Sequence, residues 1–375
     1  MKQISFAALA VGAAFCASAH DVEFKHLHGS TNAATPLKFV VEKSGPIKAP
    51  APLTEKVAVT GQGFWKFAAA KDLMTVPGEI ANSLKPAHGT IVVDAERDVV
   101  YWGLQNVGWV AFSNKLAKSW IVKGDPMFAS GNLHGADLLP RRGKLPLVVA
   151  ADNMEGEVYL SDTTFTQAQK LDWPQGGPYK TKKEYMPTDA AFAGAKDVYV
   201  TDGYGKQWFM HGTTDPLKLD GTFIGGREFS RTPHGITYSS DHKTLYVSAR
   251  PEAIIKEYAF KKDKWLESMG LPPGSTVCDV DVWEDYALAP CLDGPKGPDG
   301  KATFGPIYIV NLKTRAIVST IRVKDDLGYA DALHIHDAAW YVHGKGRNRE
   351  IYILFTNWNP GGIGAIKLVN LADAK

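Results

Sequence analysis

One short phrase occurs six times in this chain. A turn-like dipeptide opens a short apolar strand, a hairpin follows, and a second strand ends near a polar side chain. The openings are His88-Gly89, His134-Gly135, Thr188-Asp189, His234-Gly235, Cys278-Asp279 and His336-Asp337, spaced by 46, 54, 46, 44 and 58 residues. Units of roughly 40–50 residues with several strands each mark propeller blades, because a small sheet cannot bury its faces until neighbours stack on it. The spacing predicts an all-β chain folded as a six-bladed β-propeller. A seventh blade, built from the stretch 57–84 and the C-terminus, stays open as an alternative. A β-sandwich would accommodate the strands but would not explain the recurring openings.

Runs of β-branched and aromatic residues bounded by Asp, Gly and Asn support the strands. Residues 90–93 and 99–102 flank the turn 94–98, and residues 147–150 and 158–160 flank 153–156. Similar runs fall at 198–201, 244–247, 307–310 and 351–354. Residues 57–67 read as one strand, expected to pair with 364–368. That pairing would close the ring and cover the open edges of the first and last blades.

The first 19 residues have the form of a secretory signal: Lys2, an apolar run from Phe6 to Phe15, and Ala17-Ser18-Ala19 before the expected cut. The run is too short to span a bilayer, and Phe15 before Cys16 argues against a lipoprotein. The chain is therefore expected in the periplasm or secreted, without membrane insertion, and as a monomer. Its 42 basic and 40 acidic side chains nearly balance, which argues against a nucleic-acid or anionic-membrane partner. Residues 20–56 read as a flexible N-terminal segment, poorly ordered or wrapped on the surface, and residues 57–375 as a single propeller domain. Behind the signal, two cysteines remain, Cys278 and Cys291. They end a hairpin-like stretch, and an oxidising compartment favours their pairing, so a disulfide staple is expected.

His88, His134, His234 and His336 share one blade position, at the start of the strand expected to line the central channel. Equivalent positions on different blades converge on the axis, so these rings would meet. Imidazole nitrogen suits zinc, copper, iron and nickel, and three histidines with an open position form a catalytic zinc site. Each histidine alone also fits a hydrogen bond between blades; the set predicts a metal site on the axis. His334 lies two residues before His336, on the same side of a strand, as a further ligand or the partner of one. His343 follows close behind, and His211 and His242 fall in turns. The third blade lacks a histidine and offers Tyr204 near the same mouth. Beside a cation, Tyr204 could act as a general base, or it could simply pack on a neighbouring blade. Arg250, ending the equivalent strand of the fourth blade, could hold a carboxylate through two hydrogen bonds or form a surface ion pair.

Met186-Pro-Thr-Asp189-Ala-Ala-Phe192, followed by Asp197-Val-Tyr-Val-Thr-Asp-Gly-Tyr204-Gly205, resembles the tyrosine-bearing blade of the peptidyl-α-hydroxyglycine α-amidating lyases. Thr232-Pro-His234-Gly-Ile236 with Leu245-Tyr-Val-Ser-Ala-Arg250 resembles that family's next blade, His336-Asp337-Ala338 its last metal histidine, and His134-Gly135-Ala136 its first. The likeness covers roughly residues 133–354. It implies a six-bladed propeller of the NHL type, with zinc on His134, His234 and His336. Tyr204 would be the base and Arg250 a substrate-side residue, and a structural calcium would be present. Three features depart from the family. Its first-blade arginine is missing from Val99-Val-Tyr-Trp-Gly103, and His334 stands where the family has methionine. His88 is an additional histidine.

Three functions follow as expectations. One is an exported zinc-dependent lyase that cleaves a C–N or C–O bond in a small carboxylate-bearing or peptide-derived substrate. Another is a zinc or copper carrier without catalytic activity. In it, His20, His26 and His28 would capture the ion, or hand it to a metal-receiving transporter protein. The third is a four-histidine iron or copper oxidase.

Overall fold

The computed structural model describes residues 25–28, 34–84, 88–226, 231–241 and 243–371. The leader, His20 and His242 lie outside them. Six antiparallel sheets form six blades rather than seven. Blade one comprises Thr90–Asp94, Val99–Leu104, Gly108–Ser113 and Lys118–Ile121. Blade two comprises Leu133–Leu139, Leu147–Asp152, Glu157–Asp162 and Ala168–Leu171. Blade three comprises Asp189–Phe192, Asp197–Thr201, Trp208–Thr214 and Leu217–Gly225. Blade four comprises Pro233–Tyr238, Leu245–Ala249, Ile254–Ala259 and Met269–Gly270. Blade five comprises Asp281–Trp283, Tyr286–Pro290, Ile307–Asn311 and Ala316–Ile321. Blade six joins Ile335–His343, Glu350–Asn357 and Gly362–Leu368 to two strands from the other end of the chain.

Those two strands are Val59–Gln62 and Trp65–Ala69. The stretch expected as one strand is thus a hairpin. Gly61 and Gly63 hold φ of +86° and +59°, a region that costs glycine least, and the chain reverses there. The second strand pairs with the last, Leu368 opposite Phe67 and Ile366 opposite Ala69, so the ring closes as expected.

Closure lets every blade bury both faces. Six apolar clusters fill the structure, one at each contact between adjacent blades. Carboxylates on the innermost strands add polar staples between blades. Asp137 accepts the Phe192 N–H, Asp189 that of Ile236, Asp281 that of Trp340 and Asp337 that of Ile91, at 2.6–2.9 Å.

The segment before the propeller forms a belt along the outer edges. Lys25–His28 runs parallel to the outermost strand of blade three, Thr35–Pro36 to that of blade four, and Lys38–Phe39 to that of blade five. Pro52–Leu53 pairs with Asn370–Leu371. Glu42 ties the belt inward by accepting bonds from Trp65 Nε1, Tyr286 Oη and Asn311 Nδ2. Among the described residues no helix is long and apolar enough to cross a membrane.

The disulfide expected between Cys278 and Cys291 is not formed; both are free, buried thiols. The hairpin itself is present, with Asp281 opposite Leu288 and Trp283 opposite Tyr286. Continued regularly, that register would set Cys278 against Cys291. Instead Cys291 bridges to Val277. A slip of one residue turns neighbouring side chains to opposite faces, so the two cysteines do not stand as a directly opposed pair. The Cys278 thiol instead meets Arg250.

Candidate metal centre

The histidine phrase acquires a physical explanation in the strands that carry it. His134, His234 and His336 each lie at an irregularity in the ladder. The registers shift between Leu133 and Gly135, between Pro233 and Ile236, and between Ile335 and Asp337. A bulge adds a residue to one strand and re-aims its side chain, and here the rings turn inward. The next blade's strand then approaches closely. A Cβ on Gly135 would meet Thr188 O at 2.5 Å, and one on Gly235 would meet Cys278 O at 2.7 Å. Those same carbonyls accept the ring N–H of the preceding histidine, His134 Nδ1 to Thr188 O and His234 Nδ1 to Cys278 O, both at 2.7 Å. One carbonyl per interface thus requires both members of the His-Gly pair.

The tautomers follow. A carbonyl only accepts, so Nδ1 of His134 and of His234 carries the proton and each Nε2 presents its lone pair. This is the arrangement of metal-ligating histidines, whose second nitrogen donates to a carbonyl or carboxylate. His336 has no such partner: both its ring nitrogens are buried and unbonded among the described residues. Leaving a buried polar group unsatisfied costs about 1–3 kcal/mol, and an ion on one ring nitrogen would relieve part of it. All three rings are 2% exposed.

Ligand nitrogens of His88, His134 and His336 lie within 4.8 Å of one another. His234 is close, with ring centroids 4.8 Å from His134 and 5.0 Å from His336, but its Nε2 is taken. Arg250 Nη2 donates to it and also to Tyr204 Oη, the latter at 3.0 Å. Tyr204 Oη lies 3.2 Å from His134 Nε2 and 3.0 Å from His234 Nε2. The phenol has one proton, so with Arg250 supplying His234, Tyr204 can donate to His134, a single neutral hydrogen bond at 3.2 Å that would have to yield for that Nε2 to hold an ion. His334 stands at the rim. It precedes the strand, its Nδ1 lies 3.3 Å from Asn359 O, and its Nε2 lies 4.0 Å from Asp293. His343 is at the far end of that strand against Asp98, and His211 lies between Asp197 and Asp220 on the outer part of blade three.

Burial first, then the charges of Arg250 and neighbouring rings, hold all four axial imidazoles below their ordinary pKa; His88 falls to about 4. At neutral pH they are therefore uncharged, as ligands must be. Burial raises the Tyr204 phenol while Arg250 opposes the rise. Beneath the rings the innermost strands enclose an axial cavity of about 410 Å³, lined by His134, His234 and His336 and by Asp137, Asp189, Asp279, Asp281 and Asp337. Burial pushes Asp137 up to about 6 and Asp281 and Asp337 up to about 7.

Two site residues were not singled out from the sequence. Trp358 stacks on His88 with ring centroids 5.4 Å apart. It follows the second strand of blade six as Arg250 follows that of blade four, and this shared position was the available signal. Cys278 was assigned to a staple, and only the slipped register turns it toward Arg250.

No protein-family model and no curated protein sequence matches this chain. Among solved structures, the hydrazine synthase of Kuenenia stuttgartiensis is similar over 56% of this chain and 53% of its own, at 12% identity and a TM-score of 0.37. The chain thus spans about half the length of that protein.

Proposed function

We propose that this protein is an exported, metal-dependent lyase, with zinc held by His88, His134 and His336. The carrying observation is the division of the axial cluster. Three neutral imidazoles group on one side. On the other, His234 and Tyr204 share the guanidinium of Arg250. The donors fit a borderline metal such as zinc, with copper or iron as the other ions imidazole takes. Bound there, zinc would supply Lewis acidity toward a substrate oxygen. Arg250 would orient a substrate carboxylate. Tyr204 would move the proton as a C–N or C–O bond breaks. The likeness to amidating lyases makes a peptidyl-α-hydroxyglycine the first substrate to try. The structural calcium of that reading is proposed with it.

A carrier is the second reading, because His234 stands close enough to complete a four-imidazole shell if Arg250 swings aside. The belt favours the lyase, since residues 26 and 28 pair at the outer edge of blade three, away from the axis. Metal analysis with X-ray absorption separates the two. The lyase should show three nitrogen ligands and an open position, the carrier four nitrogens. Tyr204→Phe should keep full metal content and lose turnover by at least about 100-fold. Unchanged turnover in Tyr204→Phe would reject the lyase reading.

A further inference from the structure

The geometry points to Trp358 as the positioning residue that holds His88 in place as a metal ligand. This rests on the metal reading above. His134 is oriented by a carbonyl on its second ring nitrogen; His88 has no hydrogen bond to a described residue. It lies instead between two rings, each inclined 30° to it: His134 at 5.3 Å and Trp358 at 5.4 Å. His336 meets it edge-on at 5.1 Å.

Trp358 is itself anchored. Its backbone N–H donates to His334 O at 3.0 Å. The preceding Asn357, 3% exposed, accepts the His334 N–H at 3.0 Å and donates to Asp331 O. The Trp358 backbone is thus tied to the loop before the blade-six inner strand, whose second residue is His336, and the indole lies against the ring of His334, centroids 5.8 Å apart. A ligand must keep its ring plane aimed at the ion, and loss of the group that orients it typically lowers metal affinity by about 10–100-fold. For His88 that group is an aromatic face rather than a hydrogen-bond acceptor. This also gives His334 a role, as an anchor for Trp358 through its backbone.

The test uses the full chain freed of metal and titrated with Co²⁺, then with Zn²⁺ against a chromophoric chelator. Trp358→Leu fills much of the same space without a ring, and Trp358→Phe restores one. Trp358→Leu should bind about tenfold or more weakly, with its Co²⁺ ligand-field spectrum shifted toward that of His88→Ala. Trp358→Phe should lie within a few-fold of the wild type. The double variant with His88→Ala should bind no more weakly than His88→Ala alone, because both act through one ligand. Wild-type affinity and spectrum in Trp358→Leu, or equal behaviour of the Leu and Phe variants, would overturn the assignment. A wild-type chain that binds neither ion would overturn the metal reading beneath it, and that failure is seen before any variant is made.

Discussion

At the scale of single residues, Gly235 shows how narrowly the centre is built. A side chain there would lie 2.3 Å from Asp279 Oδ1 and 2.7 Å from Cys278 O. Neither is the free end of a long side chain: the carbonyl already accepts from His234 and from Ser248 Oγ. Gly235→Ala should therefore destabilise the chain by about 1–3 kcal/mol, the usual cost of overpacking, and the urea midpoint will show it. An unshifted midpoint would mean that the blades part without cost. The histidines that open four of the six phrases were legible in the sequence because imidazole has few equivalents. Their grouping was not. His88 rather than His234 joins His134 and His336: Arg250 takes His234 Nε2, because the pairing of Pro233 with Ala249 sets the two side by side within blade four, and which rings then meet depends on how the blades pack around the axis.

At the scale of the strand, the inner strands both staple the blades and wall the cavity. Asp281 accepts the Trp340 N–H at 2.6 Å, and burial raises it to about 7, above its unfolded value. Between those two values the folded chain keeps a proton that the unfolded chain gives up. The stability this group contributes is complete below the unfolded pKa and is lost as pH rises toward 7. Asp281→Asn keeps an acceptor oxygen and removes the proton. Its urea midpoint should therefore fall less, or rise more, than the wild type's between pH 4 and pH 7. Parallel profiles would exclude Asp281 as a source of the pH dependence. Strand positions were readable because β-branched runs and turn residues are local signals. The slip that sets Cys291 against Val277 rather than Cys278 was not, because register is set by what each strand packs against.

At the scale of the whole molecule, the ring is held by its two ends. Phe67, fully buried, lies on the strand that pairs with Gly362–Leu368. Phe67→Ala should cost about 3–5 kcal/mol and open blade six. Limited proteolysis will then cut the C-terminal strand well before the other blades; uniform cleavage would show that closure is not the weak point. The belt adds a second tie, covering the outer edges of blades three to five, where open strands would otherwise invite pairing.

The sequence alone determined the all-β propeller class with six or seven blades, the closure at 364–368 and the candidate ligands, because blade length, alternation and turn chemistry are properties of neighbouring residues. Tertiary structure decided the rest: which three imidazoles group, that Arg250 claims the fourth, that Trp358 faces His88, and that two cysteines with suitable spacing are free thiols. The grouping of the rings and the Trp358 contact are distances between blades, set only when six sheets pack around one axis; the Arg250 contact and the unpaired thiols follow from strand register within blades four and five, which depends on what each strand packs against.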